Sequence, residues 1–216
     1  MKVYRLPDKK ENQAILFDMD CTLYTHDEYA RTQIELPIMR LAKLQGITYE
    51  QMNDEIAKYR KNWAASHNGQ AVSLGNVFLS FGVSIKENIR WREELYKPED
   101  YLAKDEQLRT VLKRLASRFT MAVVTNSPVS IAIRTLSALG VHDLLPKIIG
   151  LDTCGVSKPN KALLEEAARL CGVPTEQCIS VGDRYDIDIA LPLEIGMGGV
   201  LVDGVEDVYK LPDLFA

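Results

Sequence analysis

Long hydrophobic runs are missing from this 216-residue chain. No stretch approaches the ~18 apolar residues needed to span a bilayer, so a membrane partner is not expected. Excess positive charge is missing too. Lysine and arginine number 26 against 30 aspartates and glutamates, a formal net charge of −4. The basic footprint of a nucleic-acid binder is therefore absent. The four cysteines (Cys21, Cys154, Cys171, Cys178) form no CxxC pair, nor do they combine with His26, His67 and His142 at zinc-ligand spacing. They read as reduced thiols; all but Cys21 are expected to be small buried apolar residues. The opening MKVYRLPDKKENQ lacks the apolar segment of a signal peptide, which makes a cytoplasmic location the expectation. No internal repeat or low-complexity tract interrupts the chain.

Hydrophobic residues make up 46 % and charged residues 26 %. That balance excludes disorder as the main state and is enough to build a full core. The length fits one large domain, or one domain with a smaller one inserted.

The first strong strand is Ala14-Ile15-Leu16-Phe17, which stops abruptly at Asp18. From about 27 to 97 the pattern is helical. Ile34, Leu36, Ile38, Leu41 and Leu44 space out one helix despite Pro37. Thr48 and Gln51 form a capping box before a second, with Met52, Ile56 and Tyr59 on one face. Two further helical stretches lie near 70–80 and 86–96, and Asn68-Gly69 marks a turn between helices. Beyond Pro98, helices and short strands alternate. Helices are predicted over 105–117, 129–139, 160–170 and 186–195, with strands at 119–124, 148–149, 178–181 and 200–202. Short apolar strands separated by helices imply a parallel sheet covered on both faces. The helical block is then an insertion after the first strand. The expected domains are an α/β core of residues 1–25 and 98–216 and a helical cap of residues 26–97.

In such a sheet, sites form beyond the carboxyl ends of the strands. Three strands end in reactive side chains: Asp18-Met19-Asp20-Cys21-Thr22, Thr125-Asn126-Ser127, and Gly182-Asp183 running on to Asp188. Lys158 stands in a loop before Pro159. Two aspartates spaced by two residues can divide the work of nucleophile and proton carrier. Crowded carboxylates call for a cation, and magnesium prefers oxygen ligands and bridges to phosphate. Hydroxyl, backbone N–H and ammonium groups suit phosphoryl oxygens.

These motifs closely resemble those of the haloacid dehalogenase superfamily, in particular its phosphatases with a helical cap after the first strand. The matching residues are Asp18-Met19-Asp20-Cys21-Thr22-Leu23, then Thr125 after a core strand, Lys158-Pro159, and Gly182-Asp183 with Asp188 five residues on. The resemblance implies a Rossmann-like core and a magnesium-dependent phosphatase acting on a small phosphate monoester. It implies that Asp18 is the nucleophile and a magnesium ligand. Asp20 would serve as acid and then base, its carbonyl also on the metal. Thr22 would fix the loop. Thr125 and the Asn126 N–H would hold the phosphoryl group, Lys158 would neutralise charge, Asp183 would bind magnesium, and Asp188 would support the metal site or Lys158 from behind. An aspartate at position 20 favours phosphate-ester hydrolysis over dehalogenation, because an alkoxide leaving group needs a proton. The start through Tyr24 and the segment Leu211-Pro212-Asp213-Leu214-Phe215 are similar to the pyrimidine 5′-nucleotidase-like branch, so a nucleotide joins sugar phosphates among the substrates considered. A phosphomutase, or a catalytically silent module that binds a phosphorylated ligand, remains the alternative. A monomer is the default, with a dimer open.

Other residues have plainer readings. Thr125 to Pro128 could simply cap the following helix. Asp186 reads as a helix-start residue and His26 as a solvated loop residue. Trp63, Trp91, Tyr49, Tyr59 and Tyr96 read as packing within the helical block. Arg184 and Tyr185 could line the pocket. Cys21, beside the nucleophile, either alters loop packing or provides a redox-sensitive thiol.

Overall fold

The computed structural model describes residues 1–8 and 13–215. A six-stranded sheet organises the α/β body. Its strands are β1 (Lys2–Arg5), β2 (Gln13–Phe17), β3 (Phe119–Val124), β4 (Ile148–Ile149), β5 (Cys178–Gly182) and β6 (Gly198–Leu201), in the spatial order β1-β6-β5-β2-β3-β4. β2 to β6 pair in parallel, and β1 runs antiparallel along the edge of β6. The parallel sheet expected from the sequence is present in β2 to β6, and β1 adds an antiparallel edge that the sequence reading did not include. β1 is four residues long and exposed throughout, with Val3 and Tyr4 too short a run to mark a strand. β6 also starts two residues earlier than predicted, at Gly198-Gly199, residues with no strand propensity of their own.

Alternation along the strands explains both faces of the sheet. Ile15, Phe17, Met121 and Val123 point to one side. They meet α5 (Glu106–Ala116), α6 (Val129–Ala138), α10 (Val205–Val208) and α11 (Leu211–Leu214). Ala14, Leu16, Ala122 and Val124 point to the other side, where Leu163, Leu164, Ala167 and Ala168 of α8 (Lys161–Cys171) cover them. Between these lie α7 (Leu151–Cys154) and α9 (Ala190–Glu194).

Between β2 and β3 come α1 (Asp27–Gln45), α2 (Tyr49–Ser66), α3 (Leu74–Ser80) and α4 (Ile85–Leu95). Their apolar faces make a third interior of their own, with Ile38, Leu41, Met52, Ile56, Phe78 and Trp91 at its centre. The capping box of Thr48 and Gln51 is present, and Gly46 closes α1 in the left-handed conformation. α1 continues through Pro37. Trp91 is buried in this interior and Tyr49, Tyr59 and Trp63 pack against it, as expected. His67 lies flat on the Trp63 ring, 3.8 Å between centroids, at the end of α2. His26 is not a free loop residue: its Nδ1 accepts from the Tyr29 N–H and caps α1. Tyr29 stacks on Tyr101, anchoring the start of α1 to the α/β body.

Candidate active site

The site is assembled by strand ends. The Asp18 N–H donates to the Val181 carbonyl at 2.8 Å, so β2 stays paired with β5 one residue beyond the strand. That bond holds Asp18 at the lip of the sheet, 5 % exposed. The chain then turns tightly. Thr22 and Leu23 N–H groups both donate to the Met19 carbonyl, and Cys21 takes a φ of 61°. The turn brings Thr22 back so that its hydroxyl donates to Asp18 Oδ2 at 3.2 Å.

Lys158 reaches the same point from the opposite loop. Its Nζ donates to Asp18 Oδ1 at 2.5 Å and to Asp188 Oδ1 at 2.7 Å, with all three residues buried. The loop carrying Lys158 is clamped by Asn126, whose Oδ1 accepts from the Lys158 N–H at 2.6 Å and from the Ser157 hydroxyl at 3.2 Å. Thr125 is fully buried, and its N–H continues the pairing with Ile149. Its hydroxyl accepts from the Ser127 N–H at 3.0 Å and does not cap α6; the Val129 N–H there is capped by Asp152 instead.

β5 ends at Gly182. A Cβ on this residue would sit 2.5 Å from the Asp188 Cβ, so only glycine lets Asp188 pack so closely against the strand. Asp188 Oδ2 accepts from the Arg184 N–H, and its carbonyl accepts from the Ser180 hydroxyl. Between Arg184 and α9 the chain forms one wide π-helical turn, Tyr185–Ile189, in place of the single helix predicted over 186–195. Asp186 lies in this turn and does more than start a helix. Its carboxylate accepts from the Ala71 N–H at 2.9 Å, bridging to the segment before α3. Ser73 of that segment donates to Ser157 at 3.2 Å, a second bridge.

Asp20 stands on a different wall. Tyr24 donates to its Oδ1 at 2.5 Å, Gln33 to the same oxygen at 3.0 Å, and Ser127 to its Oδ2 at 3.1 Å. It opens into a cavity of about 230 Å³ between the α/β body and the helical segment. Cys21, Asn126, Asp183 and Arg184 line it on one side; Gln33, Ile34, Leu74, Arg92 and Tyr96 line it on the other. Arg184 is therefore at the cavity, while Tyr185 is exposed and packs on Tyr4.

Residues 13–196 match the family of haloacid dehalogenase-like hydrolases. The chain belongs to that family. Among the proteins it resembles is the glyceraldehyde 3-phosphate phosphatase of Methanothermobacter thermautotrophicus, 24 % identical over 200 residues, covering 88 % of this chain and 85 % of that one. A phosphoglycolate phosphatase of Colwellia psychrerythraea is 34 % identical over 97 residues, 44 % of this chain and 43 % of the relative. In three dimensions the chain superimposes on a HAD phosphatase from Thermococcus onnurineus with a TM-score of 0.64 and 18 % identity, covering 94 % and 98 % of the two chains. The fold is accordingly the Rossmann-like α/β architecture of the superfamily, and the protein is a hydrolase. Among the described residues, no helix is long and apolar enough to cross a membrane.

The electrostatics of this hydrolase centre on an excess of carboxylates. Oxygens of Asp18, Asp183 and Asp188 lie within 4.8 Å of one another. Burial, then Asp18 and Asp188, push the Asp183 carboxyl up to about 7. Burial also raises Asp188, against the pull of Lys158. Burial opposes the Lys158 charge, but Asp18 and Asp188 outweigh it and hold its pKa above the usual lysine value. Asp183 Oδ1 is buried and has no hydrogen-bond partner among the described residues. A buried oxygen without a donor, beside a second carboxylate, fits a hard divalent cation such as magnesium. Asp18 and Asp188 each accept hydrogen bonds on both oxygens, Asp18 from Lys158 and Thr22 and Asp188 from Lys158 and Arg184, so among the described residues Asp183 Oδ1 is the unpartnered member of the three.

Of the two readings of Cys21, the electrostatics count against the redox-sensitive one. Burial, then Asp183, Asp20 and Asp18, push it up to about 12, so it stays protonated and poorly nucleophilic. Cys171 and Cys178 are buried as expected, but Cys154 is exposed at the end of α7. Sequence reading gave no role to Gln33 or Arg92 and read Tyr96 as packing only; Tyr96 is buried but also lines the cavity. Tyr24 and Ser127 stood inside the motifs, and their spacing of four from Asp20 and two from Thr125 was the available signal.

Proposed function

We propose that this hydrolase is a magnesium-dependent phosphatase that cleaves a small organic phosphate monoester through an aspartyl-phosphate on Asp18. Residues 26–97 are its cap, over a core of residues 1–25 and 98–216. The observation that carries the reading is the placement of two differently held aspartates at one strand end. Asp18 is paired with a buried ammonium, while Asp20 is braced by three neutral donors at the mouth of a cavity. Electrophile and leaving group then fall between them.

In the first step an Asp18 oxygen attacks phosphorus and the bond from phosphorus to the ester oxygen breaks. Asp20 donates a proton to the departing alkoxide. In the second step Asp20 takes a proton from water, whose oxygen attacks phosphorus. The bond to Asp18 breaks, and inorganic phosphate and free Asp18 are restored. Lys158 and Thr125, with the Asn126 N–H, bind the phosphoryl oxygens, and Thr22 keeps Asp18 oriented. Asp18, Asp183 and the Asp20 carbonyl would hold magnesium, with Asp188 behind them. When bound, the ion supplies positive charge against the phosphoryl oxygens and the nucleophile.

Relatives named for glyceraldehyde 3-phosphate and phosphoglycolate favour a leaving group of few carbon atoms over a nucleoside.

The test is phosphate release from an aryl phosphate by wild type and Asp18→Asn, with magnesium and with a chelator. Release that needs magnesium and is lost in Asp18→Asn is expected. Release that survives Asp18→Asn overturns the assignment of the site. Isomerisation of a sugar phosphate without net phosphate release would mark a phosphomutase instead.

A further inference from the structure

Of the five arginines of the helical segment, Arg40 and Arg90 lie near the surface and pair with Glu94 and Glu87, while Arg31 and Arg60 are exposed and have no ion pair among the described residues. Arg92 is 7 % exposed and has no carboxylate partner among the described residues. Its Nε donates to Asn88 Oδ1 at 2.8 Å, and Asn88 is itself buried. Its guanidinium carbon lies 5.6 Å from the centroid of the Tyr96 ring. Asn88 and Tyr96 thus hold the group, and Arg92 lines the cavity with no hydrogen bond to its terminal nitrogens among the described residues.

A guanidinium taken out of water costs free energy unless an anion meets it. The cavity's other arginine, Arg184, already has the acidic cluster beside it, with Asp183 at 3.8 Å. Arg92 faces the same space with no such neighbour. A bound ligand is the remaining source of its counter-charge. The phosphoryl end of the substrate is assigned above to Lys158 and the groups around Asp18, next to the Asp20, Asn126 and Asp183 wall of the cavity, so Arg92 meets the other end.

We propose that the leaving group carries a carboxylate and that Arg92 binds it; the substrate class is a short phosphorylated organic acid. This rests on the phosphatase reading above. A planar fork of N–H donors matches a carboxylate in two parallel hydrogen bonds. The chain Arg92–Tyr96–Gln33–Asp20 then links recognition to the proton carrier: Tyr96 donates to the Gln33 carbonyl at 2.6 Å, and Gln33 donates to Asp20.

A matched pair of esters tests this. 3-Phosphoglycerate and glycerol 3-phosphate differ only in a carboxylate against a hydroxymethyl group, and an aryl phosphate reports the chemistry alone. Wild type is expected to favour the acid by about 10- to 100-fold in kcat/KM, the range for a hydrogen-bonded charge. Arg92→Met should bring that ratio near one, mainly through KM for the acid. Arg92→Lys, which keeps the charge but loses the fork, should retain part of it. Aryl phosphate release with no preference for the acid in wild type overturns the inference and leaves the phosphatase reading standing; that ratio needs no variant to fold. A preference that persists in Arg92→Met also overturns it. Absence of release from every ester, the aryl phosphate included, overturns both.

Discussion

The phenol of Tyr24 donates to Asp20 Oδ1 at 2.5 Å, four residues along the same loop. Tyr24 is buried, and burial together with Asp20 holds its pKa well above the usual tyrosine range. It is therefore a permanent donor, a strut and not a proton carrier. Gln33 and Ser127 complete the brace.

Tyr24→Phe removes one strut and almost no volume. Phosphate release should fall about tenfold in kcat, the size of one hydrogen bond to a charged group, with KM little changed. Steady-state kinetics beside a melting curve separate this from a folding defect. An unchanged kcat would show that Gln33 and Ser127 position Asp20 without it.

Lys158 is compensated by two carboxylates, and Asp188 is the one behind the reactive face. Asp188→Ala leaves the buried ammonium paired with Asp18 and short of one hydrogen bond, a loss of about 1.5–3 kcal/mol. Lys158→Met strands Asp18 and Asp188 without their ammonium and should cost more, about 3–5 kcal/mol. Denaturant unfolding should rank the two variants in that order. A Lys158→Met variant no less stable than Asp188→Ala would argue against the pairing.

Asp207 lies far from the site and sets a pH dependence of stability. Burial works against its charge. Lys210, the chain's amino group and the Asp203 N–H overcome that and pull it down to about 2. An unfolded aspartate titrates near ~3.9. As pH falls from about 4 towards 2, the unfolded chain takes up a proton that the folded chain refuses, so stability present above pH 4 drains away in that window. Asp207→Asn should be less stable at neutral pH and should lose less stability between pH 4 and 2, as urea midpoints across that range would reveal.

Some of this was written plainly in the chain. Apolar runs ending in Asp18, Thr125 and Gly182-Asp183 exposed the strand ends, and the structure brings Asp18, Lys158, Asp183 and Asp188 together there. Other features depend on packing between distant segments. Gln33 and Arg92 are polar residues on helices, indistinguishable by pattern from solvated ones until the helical segment is laid over the sheet. The wide turn at 185–189 follows from the approach of Asp188 to Gly182, a contact local periodicity does not encode. β1 escaped notice because a four-residue exposed edge strand needs no long apolar run. Both readings of Cys21 stayed open in the sequence because its neighbours were known but its burial was not.

The separate interior of the four helices has a thermal consequence. Ile38, Leu41, Phe78 and Trp91 pack among themselves, not into either face of the sheet. Polar bridges cross the divide, such as Asp186 to Ala71, Ser73 to Ser157 and Gln33 to Asp20, and Tyr29 at the start of α1 is the apolar anchor described above. Two apolar nuclei joined in this way need not melt as one cooperative unit. Calorimetry of the free protein should give a calorimetric enthalpy above the van't Hoff value. A ligand spanning the cavity touches both nuclei and should draw the two transitions into one at a higher temperature. The shape of the melting curve, and not only its midpoint, then becomes a sensor for occupancy.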